Sequence, residues 1–581
     1  MKRGLTVAAS LCAFALAASP NALAAWSTPT DVPIVDPAAP VALLLDEAVD
    51  GEGRGATVWV EYDGTDYDVR AARQTPAAAV DPLAAPVASA PNAPQDLEVV
   101  IAPDGTATVV WEEDDGNGIV RMARIAANGT ASTAVDLSDS GADASAPHLD
   151  VASDGTVLVV WQELAGGGGN VIQARQIAAN GDLDSPQDVS DSDDEAAQPR
   201  VTIDNDGVAT VVWHAESVGL QSARIDDGEV GPIDDDVVED ATSDFYPPAL
   251  AAAPDGTVTA VWQRAVGVDV VVETVQIDPA GTVGAVGELA GPHYVAAASV
   301  GHHPEVVVDA SGTVTAVWTE SDFEAPYTVQ MARIAPNGTP GGAQTLSPEV
   351  DRNALNADLA IGPDGAVTAI WTGENADGGV STIEARRITS GGTAGPLATL
   401  ALHEDPDTGV LDLNSPAIAA DDDGRVTAAW QSATAIELSR YTEPGPVTPP
   451  VSPPTTPPTV PKPPVTEPPQ RKPAFSLGAR RKRLTVMRGG LVRISAGLRN
   501  SGNAPAGNVR ICVQASKTTL KALRVRKCIV VGRLTAKRLV RRTLTVKPTR
   551  TAKAGKTYVL KLVATGTGAA RKSFSVRITV R

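Results

Sequence analysis

The chain has 581 residues, more than one ordinary hydrophobic core accommodates, so several domains or a repeat array are required. Its formal net charge of −23 hides two opposed blocks: residues 474–581 carry 27 Lys and Arg and no acid, leaving 20 basic against 70 acidic residues elsewhere. That excludes a uniformly charged molecule and marks two domains with different surfaces and different partners.

Residues 1–24 read as an export signal. Lys2 and Arg3 start it, residues 5–18 are apolar, and Ala22-Leu23-Ala24 supplies the small-x-small cleavage pattern. The run is too short to span a bilayer, and no later segment reaches that length. Cys12 lies inside the signal behind Ser10-Leu11, without the small residue that lipid attachment needs immediately before it. The mature protein is expected to be secreted, extracellular or associated with the cell envelope, with no transmembrane segment.

Residues 25–443 are dominated by a repeat. The phrase Asp-Gly-Thr-Val-Thr-Ala-Val-Trp recurs with variation at Trp59, Trp111, Trp161, Trp213, Trp262, Trp318, Trp371 and Trp430, at intervals of 49 to 59 residues. A period near fifty built of short strands predicts four-stranded propeller blades. Each repeat opens with a short strand after a proline and turns at Asp-Gly, as at Asp104-Gly105 and Asp154-Gly155. A second strand, apolar on both faces, ends at the Trp and must be covered on both sides. A third strand carries Ala-Arg, and a further turn such as Asn128-Gly129 leads to a fourth.

The eighth repeat lacks a fourth strand. Thr30-Asp31-Val32-Pro33 matches the fourth-strand segments Val135-Asp136-Leu137-Ser138 and Gln187-Asp188-Val189-Ser190, so the amino end is expected to complete the last blade beside residues 436–441. The expected fold is an all-β, eight-bladed propeller closed by an N-terminal strand. Seven blades, with the divergent first repeat packed elsewhere, is the alternative count.

Residues 444–473 form a proline-rich linker, semi-rigid in polyproline II geometry. Residues 474–581 alternate apolar and polar positions in about seven strand-like runs, which predicts an immunoglobulin-like β-sandwich. Cys512 and Cys528, the two cysteines outside the signal, fit a structural disulfide in an oxidising compartment. The segment Leu498-Arg499-Asn500-Ser501-Gly502-Asn503-Ala504-Pro505-Ala506, with Ala554-Gly555-Lys556-Thr557-Tyr558, resembles bacterial Ig-like adhesion-type modules of the CARDB and NEW3 kind. That resemblance implies an accessory role in display or attachment. The propeller repeat loosely resembles those of secreted sialidase-like and carbohydrate-binding lectin-type proteins. It departs from the sialidase Asp-box, because the Trp follows the Gly by six residues, as in Gly256 to Trp262. No arginine triad with a tyrosine nucleophile is visible, so the resemblance implies fold rather than activity.

Several side-chain columns compete as functional. The eight Trp are expected to anchor the core rather than stack on sugars. The third-strand arginines, Arg73, Arg124, Arg175, Arg224, Arg333, Arg386 and Arg440, are expected to pair across strands with acids two residues after the Trp, namely Glu61, Glu113, Glu163 and Glu320. An anion-binding ring is the sharper alternative. The residue after the first-strand proline should lie near the channel mouth, and that column reads Glu98 (by alignment), His148, Arg200, Ala249, Glu305, Asp358 and Ala417. Its polar members Glu98, His148, Arg200, Glu305 and Asp358 are the candidate ligand site, for a carbohydrate or a protein. Glu305 and Asp358 are the acid and base if the protein is instead an extracellular glycosidase or polysaccharide lyase.

His302-His303 and His148 lack a fixed metal-ligand spacing, and no metal site is assigned. The acidic loops at 188–195 and 204–207 offer hard oxygen ligands that suit calcium, but match no full calcium-loop pattern. Arg480, Arg481, Lys482, Arg483, Arg538, Arg541 and Arg542 form basic clusters that suit a polyanion such as a cell-wall polymer. Nucleic acid fits them poorly, since Phe475, Tyr558 and Phe574 are the aromatic residues available for stacking.

Overall fold

The computed structural model describes residues 25–34, 42–114, 116–139, 141–165, 168–191, 195–216, 218–239, 247–266, 269–293, 303–321, 326–348, 352–375, 380–404, 414–432, 435–442, 472, 475–479, 483–488, 492–500, 504, 506–525, 528–534, 539–549, 552–567 and 569–581. The expected signal (1–24), nearly all of the linker, His302, and the basic residues Arg480, Arg481, Lys482 and Arg538 lie outside them. The chain divides into two compact units, residues 1–450 and 451–581.

In the first unit the described strands form eight antiparallel sheets, one for each Trp repeat. Their first strands are Ala42–Val49, Gln95–Ile101, Ala144–Val151, Ala196–Ile203, Ala249–Ala252, Glu305–Val308, Arg352–Ile361 and Asn414–Ala420. Each of these strands touches the next, and the eighth touches the first. The sheets therefore close on themselves. In the eighth, the third strand Ala435–Thr442 takes Thr30–Pro33 in antiparallel register, with Thr30 opposite Leu438 and Val32 opposite Ile436. Ala25–Trp26 pairs further along the same strand.

The second strands sit between sheets and are apolar on both faces. Seven Trp side chains are fully buried and Trp59 is 3% exposed. Truncating any one to Ala would cost about 3–5 kcal/mol. The turns before these strands are built by aspartate: Asp104 Oδ1 accepts the Thr106 N–H, and Gly105 takes φ 85°, a conformation that glycine tolerates. Asp204 serves its own turn through the N–H groups of Asp206 and Val208, so the 204–207 loop is explained by turn chemistry.

Three side-chain expectations need correction. The arginines do not form one column. Arg73, Arg124, Arg224, Arg333 and Arg440 share a register three residues before the Trp, whereas Arg175 and Arg386 are displaced by one residue. A one-residue shift puts a side chain on the other face. Their partners differ as well. Arg73 donates to Gly105 O, Arg124 to Ala179 O, Arg224 to Asp278 O and Arg440 to Pro76 O, each on a turn of the following sheet. These arginines join neighbouring sheets, and Arg440 joins the eighth to the first.

The acids after the Trp do something else. The indole Nε1–H groups of Trp59, Trp111, Trp161 and Trp318 donate to Glu61, Glu113, Glu163 and Glu320. In the other four sheets the acceptor sits directly across the ladder from the Trp: Gln221 for Trp213, Glu273 for Trp262, Glu384 for Trp371 and Glu437 for Trp430. A buried indole needs an acceptor, and each repeat places one on either strand. Glu–Arg pairs do form, but with Arg70 and Arg121, which face the Trp.

The second unit holds a three-stranded sheet (Phe475–Ala479, Val492–Asn500, Leu539–Val546) and a five-stranded one (Arg483–Val486, Ala569–Val580, Thr557–Thr567, Ala506–Gln514, Cys528–Leu534). Both contribute to one core containing Phe475, Ile494, Leu498, Ile511, Leu560 and Ile578. A short helix, Lys517–Leu523, was not foreseen. Ser516 Oγ caps it by accepting the Thr519 N–H, and Leu523 anchors it in the core. Cys512 and Cys528 face each other in register and are joined in a disulfide. Arg483 begins a described strand, and Arg541 and Arg542 lie within Leu539–Val546.

Candidate functional site

The mouth column occupies one register in all eight sheets. Glu98 pairs with Val110, His148 with Val160, Arg200 with Val212, Ala249 with Val261, Glu305 with Val317, Asp358 with Ile370 and Ala417 with Ala429. The first sheet contributes Asp46, opposite Val58, which the proline-based alignment missed. The signal was there, since each column residue precedes its Trp by 13 positions. In four sheets a non-glycine residue with positive φ lies two positions before the column: Asp96, Ala146, Gln198 and Asn356. Each sits in a register break of the first strand. Glu112 and Gln162, which follow Trp111 and Trp161, accept the N–H groups of Ala146 and Gln198 on the next sheet.

Much of the column links sheets. Asp46 Oδ2 accepts the Val99 N–H at 2.7 Å, Glu98 the Leu149 N–H at 3.3 Å, His148 Nδ1 the Val201 N–H at 3.2 Å, and Asp358 Oδ2 the Ile418 N–H at 2.9 Å. First strands of neighbouring sheets share no ladder, so these side chains supply acceptors for N–H groups that would otherwise have only water. With Nδ1 accepting, the proton of neutral His148 resides on Nε2.

These groups lie deep in the molecule yet keep partial solvent exposure, as residues lining a channel do. Burial raises Glu98 and Glu305 to about 8, against which the Arg200 charge acts. Burial also raises Asp358 to about 7 and Asp46 to about 6, although backbone N–H groups oppose it. His148 is held well below its usual value, first by burial and then by Arg200.

One sector of the ring opens into a cavity of about 180 Å³, lined by Glu98, His148, Arg200, Ala249, His303 and Glu305, with Pro247, Leu250 and Val306 as its apolar part. It brings together four of the five predicted ligand residues. The fifth, Asp358, is an electrostatic neighbour of Glu305, but both of its oxygens already accept backbone N–H groups, from Leu359 and Ile418. Glu305 has no hydrogen-bond partner among the described residues. Among those residues no group of three or more His, Cys, Asp or Glu is placed to hold a metal ion, and no helix is long and apolar enough to cross a membrane.

Sheets of four strands, five in the first and eighth, closed around a lined channel define a β-propeller. No family model and no curated protein matches the chain. Among solved structures it is similar to the BP39L lectin from Burkholderia pseudomallei, at 12% identity over 62% of this chain and 100% of that one, with a TM-score of 0.41. It is also similar to the WD40 domain of SCAP from fission yeast, at 10% identity over 72% and 98%, with a TM-score of 0.40. A third is the β-propeller domain of the Trilobed protease from Pyrococcus furiosus, at 11% identity over 60% and 93%, with a TM-score of 0.34. Likeness this distant says nothing about a ligand.

Proposed function

We propose that this is a secreted, non-catalytic binding protein of the cell envelope, built as an eight-bladed propeller joined by a proline-rich linker to an Ig-like sandwich. The propeller takes a ligand at its channel mouth, and the basic unit retains the protein on anionic surface polymers. The observation that carries the reading is the cavity, where Arg200 and Glu305 present polar groups among apolar walls. The Cys512–Cys528 bridge suits an oxidising compartment. The Tyr558 hydroxyl accepts the Lys553 N–H five residues upstream, a contact that Ig-like sandwiches use at a strand corner. Glycoside hydrolysis draws on two working carboxylates, and the engagement of both Asp358 oxygens weighs against Glu305 and Asp358 in those roles.

A glycan and small-molecule binding screen of the full chain, with Arg200→Met as control, tests the first part. Binding that the substitution leaves intact counts against the mouth, and product release from a bound polysaccharide would favour the enzyme. For the second part, the chain bound to isolated envelopes is eluted with rising salt. Retention indifferent to salt would rule out the polyanion role.

A further inference from the structure

The column follows a rule that one sector breaks. In the shared register the residue after each column position points its N–H away from its own ladder. Six of these eight N–H groups find a column acceptor. Glu47 and Val99 use the two oxygens of Asp46, Leu359 and Ile418 use those of Asp358, Leu149 uses Glu98, and Val201 uses His148. The remaining two are Leu250 and Val306. They stand to Ala249 as Glu47 and Val99 stand to Asp46, and as Leu359 and Ile418 stand to Asp358. A methyl group cannot accept, and the column residue on the preceding sheet, Arg200, offers only donors. Among the described residues neither donor meets an acceptor, and Leu250 and Val306 both line the cavity together with Arg200.

We propose that a ligand carboxylate completes the ring over Ala249, its two oxygens accepting the N–H groups of Leu250 and Val306 while the Arg200 guanidinium balances its charge. This rests on the channel-mouth reading and deepens it to a ligand class, a small carboxylate, whether carried by an acidic sugar or by a simple organic acid. Twice over, the molecule itself shows that one carboxylate serves such an N–H pair, at 2.8 and 2.7 Å for Asp46 and at 2.6 and 2.9 Å for Asp358. The surroundings suit an anion at neutral pH. Burial raises Glu98 and Glu305 to about 8, so that at neutral pH they place little repelling charge beside it. His148 adds a neutral ring whose Nε2–H is a further donor.

The experiment uses the full chain and isothermal titration with galacturonate, acetate and neutral galactose. Galacturonate binding without galactose binding is expected. Acetate binding as well assigns the recognition to the carboxylate alone, and galacturonate alone assigns it to an acidic sugar. Arg200→Met should weaken binding roughly tenfold or more. Ala249→Asp, which installs the missing internal acceptor, should abolish binding and raise Tm, a gain that a merely disruptive change would not give. Affinity should also fall as pH rises through about 8, where Glu98 and Glu305 lose their protons. Galactose binding that Ala249→Asp removes would overturn the carboxylate while leaving the channel-mouth reading standing. Galacturonate or acetate binding that survives both substitutions, or no binding by any of the three, would overturn the inference.

Discussion

The carboxylate of Asp46 reaches from the first sheet to the second and accepts the backbone N–H of Val99 at 2.7 Å, while its other oxygen holds the N–H of Glu47. One side chain thereby fixes its own strand and the next. Replacing it with Ala leaves two donors with only channel water, at a cost of about 1–2 kcal/mol, and Asp46→Asn, which keeps one acceptor oxygen, should lose about half of that. Urea unfolding measures both, and an unshifted midpoint in Asp46→Ala would show that the bridge contributes nothing.

Stability should fall as pH rises through neutrality towards about 8 and level off above that. Burial raises Glu98, Glu305 and Glu47 to about 8 and Asp358 to about 7, against ordinary values of 4.5 and 3.8. The native state thus holds protons that the unfolded chain has released. Groups raised in this way stabilise fully below their unfolded values, and that stability is lost as pH climbs through the folded ones. His148 acts in the opposite sense, but only below its ordinary value of 6.5. Between about pH 6.5 and about pH 8, Tm should therefore decline, and the double variant Glu98→Gln with Glu305→Gln should flatten much of that decline. Calorimetry across that range decides it, and a level wild-type curve would show that the channel acids are not held protonated.

The repeats were legible because Trp and Asp-Gly are demanded by packing and by turn geometry, which act on side-chain identity. The mouth column was legible in seven repeats: a proline precedes it in five, and Glu98 and Asp358 fall into line by repeat alignment although Leu97 and Ala357 precede them. Asp46 escaped because the divergent first repeat lacks the proline and also carries Glu52-Gly53 in place of the Asp-Gly turn, although its distance to Trp59 matches the others. What the column does was hidden, because its partners are backbone N–H groups that leave no mark in the residue alphabet. The arginine expectation failed for a related reason. Arg73 and Glu61 look adjacent in a repeat alignment, but the ladder puts Arg73 opposite Ala56 and Glu61 opposite Asp68. Only the register distinguishes Arg70 from Arg73 as the partner within reach.

The indole acceptors make a swap experiment possible. Gln221→Leu strips Trp213 of its acceptor in a fully buried site and should cost about 1–3 kcal/mol. Adding Ala215→Glu puts a carboxylate two residues after the Trp, the arrangement found at Trp161 and Glu163. The double variant should recover part of the loss. If it is no more stable than Gln221→Leu alone in thermal unfolding, the two strand positions are not interchangeable solutions to one need.

The last prediction concerns closure. Residues Thr30–Pro33 cover the edge of Ala435–Thr442, and Val32 and Ile34 are buried against Ile436, Leu438 and Trp59. A chain lacking residues 25–34 would expose that edge and the apolar surface beneath it. An uncovered edge strand pairs with whatever strand it meets, including its counterpart on a second copy. The truncated chain should therefore lose several degrees of Tm and elute as dimers or larger species in size-exclusion chromatography. Supplying a peptide of the removed sequence should restore the elution position of the intact chain, because it adds the missing strand in the same register. Truncation that changes neither Tm nor elution would mean that the ring is held by contacts between first strands and by Arg440 at the turn of the first sheet, with the amino-terminal strand only laid against it.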